Sequence, residues 1–253
     1  MDFDISPLII SLKVAVISTV ITFFAGIFMA KFVYRMKHFK HLADAFLSLP
    51  LVLPPTAVGF FLLVLFGRNT AFGRALSMIG FDVIFTLRGA VIAASVVSFP
   101  IMYRTTLGAF EQIDTELIDA ARTLGFGENQ IFFKVWLPLS WPGIAAATTL
   151  TFARAFGEFG ATIMIAGNIP GKTRTMSLAV YSAMQGGNRE LAYKWVIIIL
   201  LMSFTSLVLL NYWNSLCYSR DERYMNVKSR LFSRKTKDGM RQEKPEKASE
   251  KDI

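Results

Sequence analysis

Three groups of residues in this sequence have types and spacings that could do chemistry. A nucleotide-binding P-loop has four residues between its glycines, whereas the similar segment at 167–173 has three. His38 and His41 are the only histidines, and a metal site would need further ligands near them. Arg154 and Glu158 are four residues apart, so on a helix they would pair or contact a charged cargo, and we favour pairing. We therefore predict no catalytic residue, no metal site and no cofactor in this chain.

The composition indicates that these residues belong to a membrane protein. Of the 253 residues, 53% are hydrophobic, and the mean hydropathy is +0.46. Residues 218–253 hold 18 of the charged residues, so the first 217 hold only 27, well below the usual share in a soluble domain. This excludes a soluble enzyme and a disordered chain, and the single Cys217 excludes a disulfide scaffold. We expect a membrane domain at 1–217 and a charged cytoplasmic tail at 218–253.

Five apolar runs are long enough to cross a bilayer whose hydrocarbon core is about 30 Å thick. We predict spans at 7–33, 46–66, 85–103, 138–156 and 193–213. The apolar segment 159–167 is too short to cross, and we interpret it as a re-entrant or interfacial piece. The expected fold is an all-α membrane protein, a polytopic bundle of five transmembrane helices.

The distribution of Lys and Arg predicts the orientation of these spans. The loops assigned to the inside, including the first part of the tail, carry 14 Lys and Arg, and the loops assigned to the outside carry 7. The N-terminus is therefore expected outside and the C-terminus inside. Basic and aromatic residues do not alternate on one polar surface, so we expect membrane lipid and no nucleic acid as a partner.

The polar stretch at 111–136 between the third and fourth spans is patterned like an amphipathic helix. Its apolar residues recur at helical spacing, at Ile113, Leu117, Ala120, Ala121 and Leu124. We predict a helix over 111–124 with these residues on one face, ended by a left-handed Gly125. Periodicity alone leaves two interpretations open, a simple connector between spans or a docking element.

The spacing of further residues resembles the EAA loop of ABC importer membrane subunits. After Asp119-Ala120-Ala121 come three residues and Gly125, then nine residues, Val135, one residue and Leu137-Pro138, with Asp in place of Glu and Val in place of Ile. The resemblance implies that 104–137 is a cytoplasmic coupling loop that contacts an ATPase. The implied contact residues are Asp119, Ala120, Ala121, Arg122, Gly125, Leu137 and Pro138. Two alanines would allow close backbone approach to a partner.

Other blocks are similar to the membrane subunit of molybdate ABC importers, of the binding-protein-dependent oxyanion transporter family. They lie at 49–55, 120–125, 152–154, 157–162 and 168–175. The resemblance implies a type I ABC importer fold and molybdate transport, with tungstate as a second substrate, by alternating access in the cytoplasmic membrane of a prokaryote. It also implies a homodimer, ABC ATPase subunits that carry ATP and magnesium, and an extracytoplasmic molybdate-binding protein. The candidate translocation path or gate consists of Pro54, Pro55, Arg154, Gly157, Glu158 and Gly160.

Several alternatives remain open at this point. Sulfate and tungstate permeases are similar in the same blocks, so a sulfate/thiosulfate or tungstate permease is the rival within the class. An ATP-independent anion channel or secondary transporter is the rival from another class, and copurification of an ATPase subunit would discriminate against it.

Overall fold

The structure is a computed structural model that describes residues 4–36 and 38–212. Every regular element in these two ranges is helical, which confirms the predicted all-α fold. The helices are α1 (Ser6–Arg35), α2 (Lys40–Val52), α3 (Pro55–Phe66), α4 (Ala71–Met78), α5 (Leu87–Glu111), α6 (Thr115–Thr123), α7 (Glu128–Ile131), α8 (Leu137–Leu139), α9 (Trp141–Phe156), α10 (Gly160–Ala166), α11 (Met176–Gln185) and α12 (Arg189–Tyr212), with a π-helical turn at Phe132–Trp136 before α8.

Among the described helices, α1, α5 and α12 are each long and apolar enough to cross a membrane. The bent pair of α2 and α3 would make a fourth crossing. The first, third and fifth predicted spans therefore correspond to single helices. The last residue of the fifth predicted span and the predicted tail at 218–253 lie outside the described residues.

Helices α1 and α5 form the centre of the bundle. They pack closely because small residues line their contact, among them Ala15, Ala90 and Ala94, which are fully buried. The Ser18 hydroxyl on α1 donates a hydrogen bond to the carbonyl of Val91 on α5 (3.1 Å). In a lipid environment such packing and interhelical hydrogen bonds replace the hydrophobic effect as the force between helices.

The second predicted span is two helices that meet at an angle of 108°. The break follows from Pro54 and Pro55, because proline lacks the N–H that an α-helix needs and forces the preceding residue out of the helical region. Leu53 is accordingly extended, with ψ at 142°. The predicted run 46–66 is therefore present, but it is not one straight helix.

The fourth predicted span is extended by α10. Contacts between this part of the chain and α5 advance from Ser140 with Ala109 (3.4 Å) to Thr148 with Met102 (3.9 Å). Beyond them Ile165 accepts the N–H of Phe85, two residues before α5 begins (2.9 Å). Helices α9 and α10 thus run antiparallel to α5 along nearly its whole length, with a break at Gly157. The segment 159–167, interpreted above as a re-entrant or interfacial piece, contains the short and largely buried helix α10, which follows α9 after the break at Gly157.

Helix α5 is longer than the predicted third span. It continues from 104 to Glu111 because Thr106, Leu107 and Phe110 are buried against the rest of the chain. The first residues of the predicted coupling loop at 104–137 are therefore helical, and the helix predicted at 111–124 is shorter, at Thr115–Thr123. Asp114 begins that helix, since its carboxylate accepts a hydrogen bond from the Glu116 N–H (2.9 Å).

Candidate functional site

The segment that contains the EAA-like residues lies on the same face of the bundle as the loop after α1. Three ion pairs join the two regions: Lys40 with Glu111 (2.6 Å), Arg35 with Glu128 (3.2 Å) and Arg104 with Asp44 (3.6 Å). The opposite end of the bundle brings together the start of α1, the loop before α5 and the loop before α11. There the Ser11 hydroxyl accepts a hydrogen bond from the Met176 N–H (2.8 Å). These contacts group the described loops at two opposite ends of the bundle.

Helix α6 presents a different face from the one that periodicity predicted. Ile118 and Ala121 are buried against the chain, at 4% and 6% exposure. Leu117 and Leu124 are exposed, at 47% and 77%, and Ala120 is exposed beside them. The prediction of one apolar face is wrong because both sides of this short helix carry apolar residues. One side packs on the bundle, and the outer stripe has no partner among the described residues.

The end of α6 is as predicted. Gly125 adopts φ +81°, a left-handed conformation that costs other residues free energy, and its N–H donates to the Arg122 carbonyl (2.9 Å). The chain then turns toward α7. A Cβ atom at Gly125 would meet no neighbour, so the conformation and not the space favours glycine here.

Asp119 and Arg122 of the predicted contact set are engaged within the chain. Arg122 donates from Nη1 to Asp119 Oδ1 (2.8 Å) and from Nε to Glu128 Oε1 (2.9 Å). Glu128 also accepts from Arg35 at the end of α1 (3.2 Å). The hydrogen bond from Arg122 lowers the pKa of the Glu128 carboxyl below its usual value and raises the pKa of the Arg122 guanidinium. The four groups form one ionic network on the surface.

Leu137 and Pro138 lie apart from this network, at the start of α8 and directly before α9. The preceding π-helical turn is anchored by Phe132 and Trp136, which are buried, and by an edge-to-face contact between Trp136 and Tyr34 of α1 (4.4 Å between ring centres). The two ends of the EAA-like motif thus occupy separate positions. The predicted coupling loop at 104–137 is called the coupling segment below.

The loop at 167–175 uses its backbone donors internally. The N–H groups of Lys172, Thr173 and Arg174 all donate to the Ile169 carbonyl, at 3.0–3.1 Å. A P-loop needs such N–H groups free to surround phosphates, so this loop does not have that geometry. The side chain of Arg174 donates instead to Asn168 (2.8 Å).

Most of the predicted path residues surround one small cavity where the two broken helices meet. The cavity has a volume of about 320 Å³ and is lined by Pro55, Thr56, Arg154, Gly157, Glu158, Phe159 and Gly160. Pro54 immediately precedes this set at the start of α3. The break between α2 and α3 therefore lies beside the break between α9 and α10, which the sequence did not predict.

Arg154 and Glu158 form the predicted mutual ion pair at this cavity. Arg154 Nη1 lies 2.6 Å from Glu158 Oε2, and the other carboxylate oxygen accepts the N–H of Ala161 (2.8 Å). The Glu158 side chain is 2% exposed and that of Arg154 is 31% exposed. The carboxylate of this pair is buried, and α10 begins two residues after it in the chain.

Sequence reasoning missed two residues that complete these sites. Gly59 lies in an apolar run and contacts α10. The one feature of the sequence that indicated a helix contact there is a small residue among large ones. Glu128 was an unassigned acid because its partner Arg35 is 93 residues away.

Comparison with known proteins identifies the family. Residues 22–217 match the family model described as binding-protein-dependent transport system inner membrane component. The molybdenum transport system permease protein ModB of Escherichia coli (strain K12) is 44% identical over 211 residues, which cover 82% of this chain and 92% of that protein. The putative molybdenum transport system permease protein YvgM of Bacillus subtilis (strain 168) is 40% identical over 204 residues, 80% of this chain and 90% of that protein.

A solved structure shares the fold. The bacterial ABC transporter involved in the import of the acidic polysaccharide alginate matches with a TM-score of 0.70 at 17% identity, over 83% of this chain and 78% of that chain. At this identity the match concerns the fold alone. Taken with the family match, these comparisons show that the chain belongs to the binding-protein-dependent transport system inner membrane components, the membrane permeases of ABC importers.

Proposed function

We propose that this chain is the transmembrane permease subunit of an ATP-driven importer of molybdate. The observation that carries the proposal is the 44% identity over 211 residues to a molybdenum transport permease. The chain itself has no catalytic role in this proposal, and ATP with magnesium binds to a separate ATPase subunit. An extracytoplasmic binding protein delivers the anion, and tungstate is the second expected substrate.

The permease crosses the membrane five times, with its N-terminus outside. The crossings are α1, the α2–α3 pair, α5, the α9–α10 pair and α12. Two observations support this arrangement: α9 and α10 both pack against α5, and the basic loop after α1 lies at the same end of the bundle as the coupling segment. The excess of Lys and Arg at that end supports its placement in the cytoplasm.

Two copies of the permease form the transport path as a homodimer. A tetrahedral dianion cannot dissolve in hydrocarbon, so the anion needs a water-accessible route that opens to one side at a time. The paired breaks support a simple gate. Pro55 at the start of α3 lies against Gly160 at the start of α10, where a Cβ on Gly160 would be 3.1 Å from the Pro55 Cβ. Helices α3 and α10 would tilt together about the contact between Pro55 and Gly160.

Arg154 is the predicted cation of the path. Its guanidinium uses Nη1 for Glu158, and its partial exposure faces the small cavity at the paired breaks. Glu158 neutralises this charge while no anion is present and fixes the first turn of α10. A passing dianion would then find an arginine that is already in position. The permease without anion would not carry an unpaired buried charge, because Glu158 pairs with Arg154.

The exposed stripe of α6 is the proposed contact with the ATPase. It consists of Leu117, Ala120 and Leu124. Ala121 is not part of this contact, because it is buried within the chain. An amphipathic helix with a short residue between two leucines fits a groove on a partner. Movement of the ATPase would displace α6 and, through the backbone, α5 and α9.

Uptake of labelled molybdate tests the proposal. The permease is reconstituted in vesicles with its cognate ATPase and binding protein, and uptake is measured with ATP, in competition with tungstate or sulfate. We expect ATP-dependent uptake that tungstate inhibits and sulfate does not. Equal inhibition by sulfate would assign the chain to sulfate transport, and uptake without ATP or a copurifying ATPase would make it a channel or secondary transporter.

A further inference from the structure

Helix α6 is connected to α1 only through side chains. The backbone joins α6 to α5 at residues 112–114 and to α9 through α7, so a displacement of α6 reaches α5 and α9 directly. Helix α1 is separated from α6 along the chain by four other helices. Helix α1 packs on α5 within the bundle, and groups at the end of α1 can in addition hold it to the coupling helix directly.

Glu128 makes that connection. It lies in the first turn of α7, and its two carboxylate oxygens bind different elements: Oε1 accepts from Arg122 of α6 (2.9 Å), and Oε2 accepts from Arg35 in the last turn of α1 (3.2 Å). Arg122 is in turn held by Asp119 (2.8 Å). One carboxylate therefore joins the coupling helix to the end of the longest helix in the described part of the chain.

A second contact supports the same connection. Lys31 lies one turn before Arg35 on the same side of α1, and its Nζ is 3.8 Å from the centre of the Phe132 ring. Phe132 follows α7 directly and is buried. The end of α1 thus contacts both ends of the short α7 helix, at Glu128 and at Phe132.

The far end of α1 is attached to the other face of the bundle. The Ser11 hydroxyl accepts the N–H of Met176, the first residue of α11. A rigid helix of 30 residues therefore links the coupling segment to the loop and helix that follow α10.

We propose that Glu128 is a positioning residue of the transport cycle, which fixes α1 to the coupling helix through Arg35 and Arg122 so that α1 follows the movement of α6. The inference rests on the proposed function and adds to it a residue outside the EAA-like motif. Exposed ion pairs contribute little to stability, so the loss of Glu128 should impair the transmission of movement more than it impairs folding.

The test measures the number of anions transported per ATP hydrolysed. Glu128→Gln, Arg35→Gln and the double variant are each reconstituted in the full complex with ATPase and binding protein. We expect each single variant to lower this ratio about two- to fivefold and the double variant to lower it no further, because both remove the same link. Glu190→Gln is the matched control, since it breaks the Lys194–Glu190 pair (2.6 Å) of α12, which lies outside the coupling segment.

Copurification of the ATPase and the midpoint of thermal unfolding are measured first for every variant. Arg35→Gln leaves the Arg122–Glu128 pair intact, so it carries the test if Glu128→Gln does not assemble. A wild-type ratio in the single variants, or additive losses in the double variant, would overturn the inference. If the wild-type complex takes up sulfate in place of molybdate, the proposed substrate is wrong, and the ratio measured with sulfate still decides the role of Glu128.

Discussion

A Cβ atom placed on Gly59 would lie 2.7 Å from the Cα atom of Ala161 and 2.8 Å from its carbonyl oxygen. The backbones of α3 and α10 are therefore in direct contact, just beyond the breaks that begin both helices. Close backbone approach through small residues is the usual way in which helices associate in lipid. This contact holds α3 and α10 together, so we expect them to move as one unit.

Gly59→Val should separate that unit. The atoms that the new side chain would meet belong to the backbone, which cannot move aside as a flexible side chain could, so we expect a loss of about 1–3 kcal/mol and of transport. The readouts are the midpoint of thermal unfolding in lipid nanodiscs and uptake in vesicles. Gly108→Ala on α5 is the control, because a Cβ there meets nothing within 4 Å. Equal unfolding midpoints for the two variants would contradict the proposed contact.

Glu158→Gln should destabilise the region of the paired breaks. It leaves Arg154 without its ionic partner inside the bundle, where an unpaired charge is costly, and we expect a loss of about 2–4 kcal/mol, since Arg154 is partly exposed. The double variant Arg154→Gln with Glu158→Gln should be more stable than the Glu158→Gln variant alone. Thermal unfolding of the three proteins measures this, and a double variant less stable than the single one would argue against the pair.

Ala120→Trp should prevent association with the ATPase without affecting the fold. Ala120 lies in the exposed stripe of α6, whereas Ala121 is buried and its replacement by Trp would disturb the chain itself. We therefore expect Ala120→Trp to lose the copurifying ATPase at an unchanged unfolding midpoint, and Ala121→Trp to lower the midpoint. Retention of the ATPase by Ala120→Trp would mean that this stripe is not the contact.

Gly125→Val should weaken the end of the coupling helix. Its φ of +81° is strained for a β-branched residue, at a cost of about 1–2 kcal/mol. Hydrogen exchange of the amides at 115–126 should accelerate in the variant. Gly127→Ala, at a nearby glycine with ordinary φ and open space, should leave the exchange unchanged.

The ionic network at Glu128 should be lost at low pH. The Arg122 guanidinium lowers the pKa of the Glu128 carboxyl, so the network is complete above the usual glutamate pKa of about 4.3 and is lost as the pH falls through the lowered value. Protection of the 115–131 amides relative to Glu128→Gln should be constant above about pH 5 and disappear at lower pH. A difference that persists after the Glu128 carboxyl has been protonated would mean that its charge is not what protects these amides.

Impermeant thiol labelling tests the proposed topology. Cysteines placed singly at Arg74 and Arg189, in a chain whose native Cys217 is replaced by Ser, should react from outside, and one at Glu116 should not. All three positions are exposed, so access depends on the side of the membrane. Labelling of position 116 from outside would reverse the orientation.

The sequence by itself determined the features that depend on neighbouring residues. Long apolar runs produce helices because a chain in lipid must satisfy its own backbone, and the helices at 6–35 and 189–212 lie within a few residues of the predicted spans. The left-handed Gly125 and the pair of Arg154 with Glu158 were likewise predictable, since each is fixed by spacing within one turn or two.

Only the tertiary structure decided which surfaces meet. The side of α6 that packs on the bundle could not be predicted, because both of its sides carry apolar residues and periodicity does not say which one finds a partner. The continuation of α9 into α10, the alignment of their break with that at Pro54, and the link from Arg35 to Glu128 join residues far apart in the chain. Such contacts follow from how complete helices pack, because packing depends on the shapes of both surfaces at once, and a local pattern describes only one of them.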